Sequence, residues 1–395
     1  MKKFFYENGA LSGWRITFLT LLLLWCASLF FKNAVYQISF AALNLLFLAH
    51  LLYFRNYATL SEILKKTRFI AICFVCLVAT LAISNLLNEA VISKKAWQST
   101  LFFVLRYGTI FLALCYFYKL KFFDQNAVFA FLFVGLGILS ASAIYQFVSS
   151  PDAIVFSNNS ARGGLSGVLS NRNILGLFMG FGLCLSAVAI RRSLALKFAA
   201  LFLFAFFMIF SFSRAAWVGA FCALVFYGAL NLKSLNKKYL LFTIGFIAIF
   251  AVLLVLSPSF EQRLAALFSG ESSGRTVIWS YILEMAQQKP ILGYGLGSYI
   301  NLPGSPVLEH PEYNAPHNLF LEILLYSGVL GLIFYGAILF SVFKECIQSR
   351  QFGVLALLIY LLIDCQFDHG AYLSKEALSL ATILSFLAYR VRIER

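Results

Sequence analysis

The sequence is short of charge, and of acid above all. Only 12% of its 395 residues are charged, and 16 acidic residues stand against 31 lysines and arginines. A soluble domain carries about 25% charged residues, so a soluble domain large enough to bury its own core does not fit. Histidine is rarer still, at four, and proline is held to seven. Alternation of apolar and polar residues is missing, which excludes a membrane β-barrel. The eight cysteines, at 26, 73, 76, 115, 184, 222, 346 and 365, all avoid the long polar loops, so no disulfide is expected. Cys73 and Cys76 have CxxC spacing, but on an apolar run without a nearby His or further Cys. Packing outweighs zinc there, because free cysteine behaves as a small hydrophobe.

What is present is apolar: 61% of the residues are hydrophobic. A transmembrane helix needs roughly 20 mostly apolar residues. Twelve runs approach that length, at about 15–31, 34–54, 69–87, 97–118, 127–148, 173–190, 195–213, 215–231, 239–258, 318–343, 352–366 and 376–390. The chain therefore reads as an all-α polytopic membrane protein of about 12 transmembrane helices, a single integral membrane domain over 1–395. The start, MKKFFYENG before an apolar run, is like a signal peptide. No small-x-small cleavage motif follows, so a retained first helix is expected.

Orientation follows from lysine and arginine in short loops. With the N-terminus inside, most of the cations, such as Lys65, Lys66, Lys119, Lys121, Lys237, Lys238, Arg390 and Arg392, fall on inner segments. Both termini then lie inside. The +15 net charge is thus mainly a topology signal, and no nucleic-acid motif accompanies it. Six arginines go against the pattern: Arg106 within the fourth run, and Arg162, Arg172, Arg214, Arg263 and Arg275 on the outer side. An arginine in or near a membrane is costly and needs a reason.

Two outer loops are long, 149–172 and 258–317. Such loops in a compact protein are usually functional or disordered. In the second, SFEQRLAALF and RTVIWSYILEMAQQK read as amphipathic helices, the latter with Ile278, Ile282 and Met285 on one face and stopped by Pro290. They are too short and polar to span and suit the outer interface, over the mouth of the bundle. GYGLGSY after them reads as flexible backbone.

Arg275 opens the second amphipathic helix, where free N–H groups already attract anions and a guanidinium adds a bidentate donor. A surface arginine snorkelling into headgroups fits the same position. Arg214, in SFSRAAW, sits at an outer helix corner and suits either a phosphate or a salt bridge. Arg106 reads as a structural strut more than as chemistry. His317, in HPEYNAPHNLFLEI, lies at the start of the tenth run with Pro316 in its first turn. A helix N-terminus disfavours positive charge, so this imidazole should stay neutral and able to take a proton. A capping role competes with that one. Glu322, one turn further in, should need a polar partner.

SRAAW, GRTVIW, PILGYGLGS and HNLFLEILLYSGVLGL occur in that order, with GGLSGVLSNRN upstream. This combination, over roughly 160–335, resembles the superfamily of O-antigen ligases and O-antigen polymerases, and the ligases most. The resemblance implies a glycosyltransferase of the bacterial inner membrane with its active site on the periplasmic face. It would move a glycan from an undecaprenyl-diphosphate donor to lipid A–core, by a metal-independent, inverting reaction with no cofactor. Arg214 and Arg275 match the family's diphosphate-binding arginines and His317 its essential histidine. Arg162 and Asn173, with Asn318 and Glu322, take supporting places. The implied partners are the lipid-linked glycan, the lipid A–core acceptor and membrane lipids. A polymerase that joins lipid-linked repeats is the alternative within the family, and a lipid or solute transporter the alternative outside it.

Overall fold

A computed structural model of the chain describes residues 13–31, 34–150, 163–169, 171–191, 193–231, 252, 258–269, 274–311, 313–368, 372 and 374–395, with the backbone alone at 260, 263, 266 and 267. Among them every regular element is a helix and no strand forms. In chain order the helices are α1 (Gly13–Ser28), α2 (Ala34–Phe54), α3 (Tyr57–Lys66), α4 (Arg68–Leu87) and α5 (Ala96–Phe103). A π-helical stretch (Val104–Thr109) joins α5 to α6 (Ile110–Lys119). Then come α7 (Gln125–Ser149), α8 (Arg172–Ala189), α9 (Leu194–Phe210), α10 (Arg214–Leu230), α11 (Pro258–Phe268), α12 (Arg275–Gln288), α13 (Leu319–Gln348), α14 (Phe352–Asp364) and α15 (Lys375–Glu394).

Six of these are long and apolar enough to cross a membrane: α2, α4, the continuous run Ala96–Lys119, α7, α8 and α13. α1, α9, α10 and α14 are apolar but shorter. Every expected span except 239–258 coincides with a helix, and that one lies outside the described residues but for 252 and 258. Hydropathy did not suggest α3, a short amphipathic helix in a segment read as an inner loop. Large apolar side chains such as Leu45, Val75, Phe221 and Phe340 face outward, each about two-thirds exposed. Apolar surface of that extent belongs against lipid. The chain is a multi-pass membrane protein.

The interior is aromatic, and four of its buried tyrosine hydroxyls bond between helices. Tyr36 bonds Ser379 at 2.7 Å, Tyr107 bonds Ser385 at 3.0 Å, Tyr372 bonds Ser327 at 2.9 Å, and Tyr360 donates to the Leu177 carbonyl at 2.7 Å. Buried hydroxyls left unpaired would each cost about 1–3 kcal/mol, so these pairs fix which helix faces meet.

One helix is broken by design. At Gly328 α13 takes φ 64° and ψ −164°, a region essentially reserved for glycine. The loop after α12 fills the break. Tyr294 N donates to Leu325 O at 2.8 Å and Gly295 N to Tyr326 O at 3.0 Å, while Val329 N donates to Pro290 O at 2.8 Å. Leu296, Ser298 and Tyr299 are buried, and Leu296 N donates to Asn85 Oδ1 at 2.7 Å at the end of α4. Non-helical backbone inside a membrane bundle survives only where such partners exist. The GYGLGSY stretch is therefore a fixed wedge, contrary to the expectation of flexible backbone. Its glycines at 293, 295 and 297 all have positive φ, and a Cβ on Gly293 would lie 2.5 Å from Leu325 O.

Gly328→Ala should destabilise the protein by at least about 3 kcal/mol, because strain at this φ/ψ adds to a Cβ placed 2.2 Å from Ile291 O. Gly336→Ala, on the same helix with nothing within 4 Å of its Cβ, should be neutral or slightly stabilising. Thermal unfolding of both variants in detergent compares them directly.

Candidate active site

The corner between α9 and α10 carries Arg214. Ser213 caps α10 by accepting from Ala216 N, and Phe212 before it is fully buried with φ 54°. A buried non-glycine residue held in the left-handed region marks a strained, over-determined turn. The segment 163–169 is pinned to that turn by Leu165 N donating to Phe210 O at 2.8 Å. Gly164 and Gly176 let the backbones close up: a Cβ on Gly176 would sit 2.4 Å from Ser213 Cβ. α8 therefore starts beside α10, and Arg172, its first residue, reaches back to the Gly163 carbonyl. Arg172 feels the charges of Asp368, Arg214 and Arg275. The two long loops of the sequence thus meet.

Arg275 opens α12 behind Gly274, whose φ is 80°. Tyr313 packs on that glycine so closely that a Cβ would lie 2.3 Å from its ring hydroxyl. Trp279 Nε1 donates to Pro316 O at 3.2 Å, which ties α12 to the segment carrying His317. His317 itself has φ 50°.

The sequence placed Pro316 and His317 within the helix. Instead α13 begins at Leu319 and both residues precede it. Asn318 is the cap: its Oδ1 accepts from Phe320 N and Leu321 N, each at 3.0 Å, and its Nδ2 donates to Gln366 O at 3.0 Å. Leu319 N donates to Cys365 O at 2.9 Å. These bonds lock the His317 segment to the turn that ends α14, and that turn carries Asp368.

Asp368 joins the pieces. Its Oδ1 accepts from Arg275 Nη2 at 2.8 Å and from Asn173 Nδ2 at 3.0 Å, and His317 Nδ1 faces the same oxygen at 3.8 Å. The Asp368 and Arg275 side chains are 8% and 16% exposed, so the ion pair is poorly screened and geometrically defined. Three arginines, Arg172, Arg214 and Arg275, share one neighbourhood with Asp368. Asp364 lies one turn earlier on α14, fully buried. A convergence of guanidinium groups with a neutral-capable imidazole suits an anion whose charge grows during reaction.

Of the expected site residues, the structure brings Arg214, Arg275, Asn173 and His317 together, with Asn318 holding His317 in place. Arg162 lies outside the described residues. Glu322 is buried in the first turn of α13. Nothing in the sequence singled out Asp368. The missing signal was electrostatic: arginines gathered in a partly dry site need a carboxylate, and acids are scarce in this chain. Leu319 and Cys365 also line a small apolar cavity of about 40 Å³, between Phe103, Tyr107, Tyr335 and Val342.

Comparison with known proteins finds one family. Residues 198–336 match the family described as O-Antigen ligase. A protein of Rickettsia conorii named "Putative polysaccharide ligase" is 32% identical over 92 residues, 21% of this chain and 22% of that protein. Its counterparts in Rickettsia felis and Rickettsia typhi are each 34% identical, over 88 and 79 residues, covering 20% and 18% of this chain and 22% and 20% of theirs. The matched stretch thus spans about a fifth of the curated relatives. Residues 198–336, which hold Arg214, Arg275 and His317, carry the O-antigen ligase match, and the likeness to the O-antigen ligase family read from the motifs is shown.

Proposed function

We propose that this chain is an O-antigen ligase-type glycosyltransferase, which transfers a glycan from an undecaprenyl-diphosphate donor to lipid A–core at the periplasmic face of the bacterial inner membrane. The observation that carries the reading is the convergence on Asp368: one carboxylate oxygen holds Arg275 and Asn173 and faces His317. Both termini lie in the cytoplasm in this reading.

Arg214 and Arg275, with Arg172 beside them, hold the donor diphosphate. The acceptor hydroxyl oxygen attacks the anomeric carbon as the bond from that carbon to the diphosphate breaks. The hydroxyl proton passes to Nε2 of His317, and the diphosphate departs with its charge on the arginines. A single displacement inverts the anomeric carbon. Asp368, 3.8 Å from Nδ1, favours the proton on that nitrogen and leaves the lone pair on Nε2. A general base contributes about 10²–10⁴-fold, and one charge-stabilising donor about 10²–10³-fold.

Arg172, Arg214 and Arg275 are the first residues of their helices, and His317 and Asp368 sit between helices, which favours transfer over transport. The same site serves a polymerase equally well, because ligase and polymerase differ in the acceptor.

Purified protein in nanodiscs with EDTA, given undecaprenyl-diphosphate glycan with and without lipid A–core, tests the proposal. Glycan should appear on lipid A–core, and His317→Ala should lower the rate at least 100-fold. Growth of the donor glycan without lipid A–core would mean a polymerase. Full activity in His317→Ala would end the mechanism. Asp368→Asn should lower kcat 10- to 1,000-fold with KM little changed, since it disturbs the base and one arginine and not the bulk of substrate binding; a change confined to KM would contradict that role.

A further inference from the structure

Arg106 has no part in the site above, and nothing in the reaction uses it. It lies in the π-helical stretch Val104–Thr109 inside the membrane run Ala96–Lys119, and it is 92% buried, leaving 8% exposed. π-Turns are rare and recur at functional sites. This one is supported from outside: Thr382 Oγ1 of α15 donates to the Arg106 carbonyl at 3.1 Å. An intramembrane arginine normally finds a carboxylate or a set of carbonyls. Arg106 has neither among the described residues. Its guanidinium is faced by the rings of Phe102, Tyr36 and Phe40, at 5.0, 5.7 and 5.7 Å. Its Nε is buried without a hydrogen-bond partner. Its one polar contact is a long one, Nη2 to Gln37 Oε1 at 3.5 Å.

The placement is informative. Gln37 is exposed on the lipid-facing side of α2, three residues from the start of that helix. Lys375, at the start of α15, stacks over the Tyr36 ring at 4.9 Å and donates to Phe31 O at 2.7 Å. Tyr372, just before it, bonds Ser327 of α13. The Arg106 guanidinium therefore reaches the first turns of α2 and α15, in the half of the bundle that carries His317. The rings cover the guanidinium faces and leave its edge pointing to Gln37. That edge presents paired N–H donors, the geometry that matches phosphate.

We propose that Arg106 and Gln37 form a second, lateral anion site that takes the phosphate of a membrane lipid directly from the bilayer. The Gln37 amide swings aside or donates to the phosphate, and the aromatic shelf holds the guanidinium in place. The proposal does not rest on the reaction above.

Native mass spectrometry of the full chain in detergent tests it, with phosphatidylglycerol, undecaprenyl phosphate and phosphate-free diacylglycerol added separately. Phosphate-bearing lipid should bind at least tenfold more strongly than diacylglycerol. Arg106→Gln should abolish that preference. Gln37→Glu keeps the fold by giving Arg106 an internal carboxylate, and it should abolish the preference as well; this variant decides the matter if Arg106→Gln does not fold. Binding of both phosphate lipids assigns the site to the shared phosphate group, and binding of one alone names its source. Equal binding of diacylglycerol, or a preference that survives in either folded variant, would overturn the proposal.

Discussion

The arrangement depends on one carboxylate oxygen. Oδ1 of Asp368 accepts from Arg275 and Asn173 and confronts His317. These residues come from four separate parts of the chain, and none would stay in a partly dry site alone. A buried cation without an anion is costly, and so is a buried carboxylate without donors. Each therefore constrains the others. The cost of gathering guanidinium groups is also what gives them value: in low dielectric they stabilise an incoming anion far more than they could in water.

Holding that cluster requires rigid entry and exit on either side. The break at Gly328 and its wedge supply one side, since Tyr294 and Gly295 cap the carbonyls of Leu325 and Tyr326 that a straight helix would have used itself. The first part of α13 is thereby fixed against the end of α12. On the other side, Asn318 and Leu319 bond to the turn after α14, so the segment bearing His317 and the turn bearing Asp368 move as one. The left-handed backbone at His317 and Phe212 is tolerated because so many bonds determine both turns.

Much of this was legible in the sequence. Continuous apolar runs announced the helices, because a membrane demands length and hydropathy and little else. The outlying arginines announced the site, because their cost is large and needs compensation. Three things were not legible. The helix start at Leu319 was misjudged, since Pro316 is acceptable in a first turn and equally acceptable before the cap. The GYGLGSY stretch looked flexible because glycine signals conformational freedom, and sequence does not say whether that freedom is used to bend or to pack. Asp368 drew no notice because it follows the eleventh run, far in sequence from every cation it meets. A pairing made in three dimensions leaves no periodic trace.

Two arginines in this chain meet the membrane's cost in different ways, and the contrast explains why only one belongs to the site around His317. Arg275 is held by a carboxylate, which fixes its direction and lowers its net attraction for an anion; the neighbouring Arg172 and Arg214 restore that attraction. Arg106 is held by aromatic faces, which fix its plane and leave its full charge in place. A cation–π cradle is worth about 0.5–2 kcal/mol, less than a buried arginine costs at membrane depth. The proposed lipid phosphate would supply the remainder.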